Sequence, residues 1–333
     1  MIADLQMLDM RLLDGTLDDQ QTFRTALREA CRTPGYFYLI NPPISPALCD
    51  RILDAGRIFF ALDSTTKHAI NIKHSPHFRG YSEMKNSRDW REQLHFGVER
   101  PARSGERCYQ LQGPNLWPES LGETWKAILL AYLDAAHQTG MTLLAQLAIS
   151  IGLPESYFAA LSADSPYLVM KLIHYHPQAA ETPLRQGVAP HYDWSWLTLL
   201  LQDNVGGLQA QYDGEWHDMT PVPYSLCVHL GELLELASGG YFHATPHRVI
   251  NVQTTRSRLS LPTFINPPLD ATITDMPLSP IFRVEQSSII DEPHVHRVAD
   301  PAIKHTPFNF GESEWKRKGE GYWCYRSSCR GEG

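Results

Sequence analysis

The spacing of apolar residues along the 333-residue chain changes period near residue 165. Before that point apolar positions recur every three or four residues, the mark of helices with one buried face. In "QTFRTALREACR", Phe23, Leu27, Ala30 and Cys31 share such a face, and Pro34-Gly35 stops the helix. "SPALCDRILDAGRIFFAL" offers Ser45 as N-cap, Pro46 at the first helical position, and a stripe through Leu48, Ile52 and Phe59. In "SLGETW" the spacing predicts a capping box, Ser120 as cap and Glu123 three residues on. The helix it opens runs to about Gly152-Leu153-Pro154. Between the first two helices, "GYFYLINPP" reads as a short strand.

After residue 165 the runs shorten and become β-prone: "YLVMKLIHYHP", "WLTLLLQD", "LQAQYDGEWHDM", "YSLCVHL", "HRVINV" and "RLSLPTFI". Asp213-Gly214 is a two-residue hairpin signal. Pro221 and Pro223 suit an edge or a connection. Several short strands with regular turns predict an α+β fold with a double-stranded β-helix (jelly-roll) core and a mainly helical N-terminal region packed on its outside. The expected organisation is that region over 1–164, the jelly roll over 165–290, and a C-terminal segment, 291–333, packing back on the core.

Composition narrows the class. With 43% hydrophobic and 20% charged residues the chain is an ordinary globular one. A net charge of −8 argues against the basic face of a nucleic-acid binder. "MIADLQMLDM" has no signal-peptide pattern, and the apolar stretch around 127–153 is broken by Asp134, His137 and Gln146. That stretch is therefore expected to be a buried helix and not a membrane span. Six cysteines without CxxC pairing read as reduced thiols of a cytoplasmic protein. Cys324 and Cys329 could coordinate or cross-link.

One stretch, "APHYDWSWLTLL", places His191 and Asp193 two apart at the mouth of a strand. By itself the triplet carries little weight, since a chain with fifteen histidines is expected to show about one by chance. His174/His176 and His294/His296 compete with it as metal pairs, and a strand-end histidine bonded to a carbonyl is the plain alternative. Side chains two apart on a strand share a face, so His191 and Asp193 can reach one ion. "YFHATPHRVIN" supplies His247 as a third ligand from a neighbouring strand. Two imidazoles and a carboxylate cover one face of an octahedron, the arrangement of non-haem Fe(II) oxygenases, though zinc could bind the same set. Eleven residues on, Arg258 and Ser260 share a strand face and make a clamp for a carboxylate.

These residues carry a resemblance. "HYDWSWLTLLLQDNVGGLQ", "GEWHDMTPVPYSLCVHLGELLELASGGYFHATPHRVIN" and "RSRLSLPTFINP" resemble the core of the isopenicillin N synthase-like family, Fe(II)- and 2-oxoglutarate-dependent oxygenases on a jelly roll. "ALREACRTPGYFYLINPPIS", "HFRGYS", "DWREQLHFGVE" and "LQGPNLWPE" look like the N-terminal region of its bacterial members. The resemblance implies His191, Asp193 and His247 as iron ligands, Arg258 and Ser260 as the grip on the distal carboxylate of 2-oxoglutarate, and Tyr175 beside that cosubstrate. The flanking His174 and His176 leave the last alignment open by one residue.

The chain departs from the family at three turns. Asn41-Pro42-Pro43 replaces Gly-His-Gly, Ser195 replaces a glycine, and Pro223-Tyr224-Ser225 replaces Pro-Gly. The implied activity is oxidation of a C–H bond of a small metabolite, amino-acid- or peptide-derived compounds among them, by hydroxylation, desaturation or cyclisation. Its cofactors are Fe(II), 2-oxoglutarate and O₂. Two alternatives stay open: an oxidase of the same fold that uses no 2-oxoglutarate, and a non-catalytic ligand-binding jelly roll. Arg79 in "HFRGY" and Gln93 in "REQLHF" are expected to line the substrate pocket. No partner beyond a small molecule, neither nucleic acid nor membrane, is expected.

Overall fold

The computed structural model describes residues 6–161, 167–178, 185–251, 255–282 and 306–327. His294/His296, Cys329 and both expected boundaries, after 164 and after 290, lie outside them, and side chains are described only as far as residue 319, short of Cys324.

The N-terminal half gives β1 (Met7–Asp9), α1 (Leu17–Arg32), β2 (Tyr36–Ile40), α2 (Pro46–Phe60), α3 (Ser64–Ala69), β3 (Gly80–Lys85), β4 (Trp90–Gly97) and α4 (Gly122–Ser150). There follow β5 (Leu168–Tyr175), β6 (Gln186–His191), β7 (Leu197–Gln202), β8 (Leu208–Tyr212), β9 (Glu215–Asp218), β10 (Leu226–Leu230) and α5 (Glu232–Ala237). The described elements end with β11 (His247–Ile250), β12 (Arg258–Ile265), β13 (Thr272–Ile273), β14 (Phe308–Asn309) and α6 (Phe310–Ser327).

Two sheets face each other. The large one runs β1-β2-β10-β7-β12-β5-β4-β3, antiparallel except at β1–β2, and the small one β6-β11-β8-β9. This is the expected jelly roll. The N-terminal half is more than a helical shell, because four of its strands extend the large sheet at both ends. "DWREQLHFG" escapes a strand reading because polar and apolar residues mix on both its faces; as β4 it is nonetheless buried between β3 and β5.

Helices α1, α2 and α4 cover the outer face. There the main core forms, from Phe23, Ile52 and Phe59 on the helices to Leu199, Leu261 and Ile265 on the strands. Contact is close enough that a Cβ at Gly140 of α4 would stand 2.5 Å from Cγ1 of Ile265. Ser45 caps α2 and Pro46 opens it, as the sequence requires. The capping box at Ser120 and Glu123 does not form. Residues 119–121 already make a 3-10 turn, so α4 starts one turn-step later with no side-chain cap. The box belongs instead to Thr16 and Asp19 at the head of α1.

Asp213 and Gly214 join β8 to β9 with φ of +53° and +77°, the two left-handed residues of a type I′ hairpin. At two family-glycine turns the backbone keeps the glycine conformation without the glycine: Asn41 sits at φ +52° and Tyr224 at +58°. Asparagine tolerates that region, whereas for tyrosine it costs about 1–2 kcal/mol.

Candidate active site

Strand alternation decides what points between the sheets. Register pairs Arg258 with Tyr175, Ser260 with Ile173 and Gln202, and Gln93 with Ile173. It likewise pairs His95 with Lys171, and His229 with Thr198 and Tyr36. Directly paired residues share a face, so these residues form one inner surface while Leu199, Leu261 and Leu172 face the helices. A small apolar cluster, including Tyr38, Tyr175, Leu200 and Val249, closes one end of the inner space. Beyond that cluster the inner space carries His191, Asp193, His229, His247 and Lys171 beside Phe264.

His191 closes β6, and His247, which pairs with it across the small sheet, opens β11. Asp193 does not lie on a strand, contrary to the two-apart argument from the sequence. The chain turns after His191, and that turn brings the carboxylate back beneath both imidazoles. Gly231 and Glu232 hold the turn: their N–H groups donate to the carbonyls of Trp196 (3.1 Å) and Asp193 (2.8 Å). Nε2 of His191 lies 3.6 Å from Asp193 Oδ1, and Nε2 of His247 lies 3.5 Å from Oδ2. Each imidazole donates its Nδ1–H to a carbonyl two residues back, Ala189 (3.0 Å) and Thr245 (3.1 Å). Both Nε2 atoms therefore offer lone pairs toward the same point.

Burial raises the proton affinity of Asp193, but His247, His191 and Thr198 outweigh it and hold the carboxyl well below its usual range. Burial pushes His247 down to about 4, so its imidazole is neutral at pH 7. Asp193 Oδ2 is buried with no hydrogen-bond donor. A divalent ion fits this donor set: an anionic oxygen, two neutral nitrogens, and one buried acceptor left unsatisfied without it.

The competing His174/His176 pair fares differently. With Glu92 it makes a second His/Glu cluster on the outer side of β5. There Glu92 already accepts from Lys67 Nζ, Tyr81 OH and His174 Nδ1, each at 2.8 Å. An ammonium in that shell takes the place a metal would need, so the cluster is a salt-bridged support between α3 and β5.

Arg258 is 3% exposed. Its Nη2 donates to Gln202 Oε1 (3.1 Å), and its guanidinium carbon lies 4.9 Å from the centre of the Tyr175 ring. Nε and Nη1 of Arg258 and Oγ of Ser260 are buried without partners. Three buried donors thus stand without acceptors on the strand face where the sequence expects a carboxylate clamp. Gly187 lets the Tyr175 ring approach the opposite backbone, since a Cβ there would stand 2.6 Å from it. His229, which sequence reasoning passed over, is also fully buried, stacked 4.5 Å from His247, with neither nitrogen partnered.

An inner chamber of about 50 Å³ joins His191, Asp193, His247, Ser260 and Tyr175. A larger cavity of about 610 Å³ opens outward from His191 and Asp193. Arg79 and Gln93 lie outside its wall. Arg79 packs over Tyr167 (5.6 Å) and donates to Leu111 O, and Gln93 donates to Ser82 Oγ (3.1 Å). The wall instead carries Arg91, Lys171, Trp194 and, from α6, Glu314, Arg317 and Lys318.

Residues 5–120 match the family described as "non-haem dioxygenase in morphine synthesis N-terminal", and residues 166–267 match the 2OG-Fe(II) oxygenase superfamily. The chain is 31% identical over 258 residues to the 2-oxoglutarate-Fe(II) type oxidoreductase hxnY of Emericella nidulans, covering 72% of each. It is 28% identical to gibberellin 20 oxidase 2 of Oryza sativa subsp. japonica, over 82% of this chain and 70% of that one. Among solved structures, a full-length Neurospora crassa protein in complex with alpha-KG and thymine matches with a TM-score of 0.79 at 23% identity, covering 95% of this chain and 96% of that one. JOX2 with 2OG, Fe and JA matches with a TM-score of 0.67 at 23% identity, covering 82% and 78%. The chain belongs to the 2OG-Fe(II) oxygenase superfamily, in its isopenicillin N synthase-like family, and is a dioxygenase that uses Fe(II), 2-oxoglutarate and O₂ to oxidise small metabolites.

Proposed function

We propose that His191, Asp193 and His247 hold the iron, and that Arg258, Ser260 and Tyr175 seat 2-oxoglutarate. The observation that carries the first assignment is the orphaned Asp193 Oδ2 beneath two Nε2 lone pairs. The second rests on the unpartnered Nε and Nη1 of Arg258 and Oγ of Ser260, which a distal carboxylate would satisfy. Iron held there supplies the activation of O₂ that couples decarboxylation of 2-oxoglutarate to oxidation of a substrate C–H bond.

The chain's own part is positioning. The clamp fixes one end of the cosubstrate, the Tyr175 ring walls its side, and the outer cavity presents the substrate bond to the metal face. The unpaired clamp also favours this reading over an oxidase without 2-oxoglutarate, which would leave a buried guanidinium unsatisfied. The partner is a small molecule and not a nucleic acid, in keeping with a net charge of −8. Buried free thiols at Cys31, Cys49, Cys108 and Cys227 suit a reducing, cytoplasmic setting, and no described helix is long and apolar enough to cross a membrane. The organisation into 1–164, 165–290 and 291–333 is retained as a description of chain order, with β2 and β4 as the seams where the first part enters the sheet. Anaerobic Fe(II) titration followed by O₂ uptake and succinate release with 2-oxoglutarate tests the whole. Full-rate substrate oxidation without any 2-oxoacid would overturn the clamp assignment.

A further inference from the structure

The outer cavity holds an imbalance of charge that neither iron nor 2-oxoglutarate accounts for. Its wall carries Arg88, Arg91, Lys171, Arg317 and Lys318 against the carboxylates Asp89, Asp193 and Glu314. Three of the five cations already sit in ion pairs, two of them on one carboxylate. Glu314 takes both Nε and Nη2 of Arg317 at 2.8 Å and stands 3.6 Å from Lys318 Nζ, and Asp89 lies 3.1 Å from Arg91. Asp193 is committed to the metal face, and Arg88 is exposed at the rim.

Lys171 is the exception. It is partly buried on the inner face of β5, and among the described residues no carboxylate lies within ion-pair distance of its Nζ. That nitrogen rests 4.9 Å from the centre of the Phe264 ring. Burial, reinforced by Arg91 and Lys318, pushes its pKa down to about 7, as expected of a cation lacking a counter-ion. Trp194 Nε1 is a second buried donor without an acceptor on the same wall. Around these lie apolar groups, Val169, Val188 and Phe264.

Lys171 lines both the outer cavity and the inner chamber, as do His191 and Asp193, whereas Arg258 and Ser260 do not reach the outer one. The two acid-binding positions are therefore separate: one serves the cosubstrate, and the other is open to a second molecule. We infer that the substrate is a small organic acid, one carboxylate and an apolar body, whose carboxylate is anchored by Lys171 with Trp194 beside it. Lys171 is the one partly buried cation of this wall that stands outside an ion pair among the described residues, and a lone ammonium suits a monoanion better than a phosphate. The volume, about 610 Å³, is that of a small-metabolite site. This inference rests on the oxygenase reading and assigns its substrate class.

The test uses the full chain loaded with Mn(II) and saturating 2-oxoglutarate, so that added acids cannot occupy the clamp. Benzoate, hexanoate and N-acetylphenylalanine are each titrated against the corresponding primary amide. Binding is read by tryptophan fluorescence and thermal shift, and, with Fe(II) in air, by stimulated succinate release. The expected result is that at least one acid binds, tenfold or more tighter than its amide. Lys171→Gln should weaken that acid about tenfold while leaving 2-oxoglutarate affinity unchanged, and Lys171→Arg should restore part of the loss. Amides binding as well as acids, unchanged acid affinity in Lys171→Gln, or no acid binding at all would each overturn the inference. Failure of the wild type to bind 2-oxoglutarate is a separate outcome, which would sink the oxygenase assignment first.

Discussion

Replacing Arg258 with leucine separates the cosubstrate clamp from the metal site. In the structure this guanidinium makes one hydrogen bond, to Gln202, and leaves Nε and Nη1 unsatisfied at 3% exposure. Gln202 keeps a second anchor at Met219 O (3.1 Å), so its own position survives the change. A carboxylate seated there gains charge-assisted hydrogen bonds worth about 1.5–3 kcal/mol, and losing them raises the 2-oxoglutarate KM by roughly one to two orders of magnitude. Short monocarboxylate 2-oxoacids, which cannot span from the metal to Arg258, should lose far less. The ligand-free protein should not suffer, because the variant removes a buried charge without a counter-ion. Its Tm should equal or exceed that of the wild type, while the stabilisation that 2-oxoglutarate gives the wild type should disappear. Succinate release at varied 2-oxoacid, Fe(II) titration and a melting curve with and without 2-oxoglutarate measure all of this. An unchanged 2-oxoglutarate KM, or loss of iron alongside it, would refute the reasoning.

His247→Ala removes one of three donors and should abolish tight Fe(II) binding in an anaerobic titration, whereas the double change His174→Ala/His176→Ala should leave iron affinity intact and lower Tm through the Glu92 network. Tyr224→Gly relieves a left-handed tyrosine and, after the entropy of an added glycine, should stabilise the fold by up to about 1 kcal/mol in denaturant titration. Lys171 has its folded pKa near 7, lowered by burial, Arg91, Lys318 and Arg317 against the opposing Asp193. The unfolded chain therefore takes up this proton first as pH falls, so the cost to stability is full at and below about pH 7 and fades as pH rises toward the ordinary lysine value near 10.5. Lys171→Met should accordingly raise Tm more at pH 7 than at about pH 9.5, and an equal gain at both would contradict the shift.

The jelly roll was legible because β-prone runs and turn residues are local signals: Asp213-Gly214 dictates its hairpin whatever surrounds it. The shared inner face of Arg258 and Ser260 was legible because a strand period puts residues two apart on one side. At Asp193 the two-residue spacing misleads, since a turn and not a shared strand face brings it beneath His191. Capping at Ser120 failed because the competing 3-10 turn depends on what precedes it. What could not be read was the outer wall. Lys171 sits amid hydrophobic strand residues with no motif to mark it, and Glu314, Arg317 and Lys318 reach the cavity from a helix more than forty residues beyond β12. Arg79 and Gln93 were reasonable polar candidates, yet Arg79 turns to Tyr167 and Gln93 to Ser82, contacts that only the packed sheet defines.

Both imidazoles of the triad are fixed by their own chain, each Nδ1–H held by a carbonyl two residues upstream. Nothing in that arrangement waits for an ion, and nothing in it prefers ferrous iron. Two nitrogens and a carboxylate follow the Irving–Williams order, in which nickel, copper and zinc outrank Fe(II) at equilibrium. Iron occupancy is then a property of the surrounding metal pool and not of the fold. The protein depends on its host to keep the tighter-binding ions scarce, and a sample purified away from that buffering takes whichever ion the medium supplies.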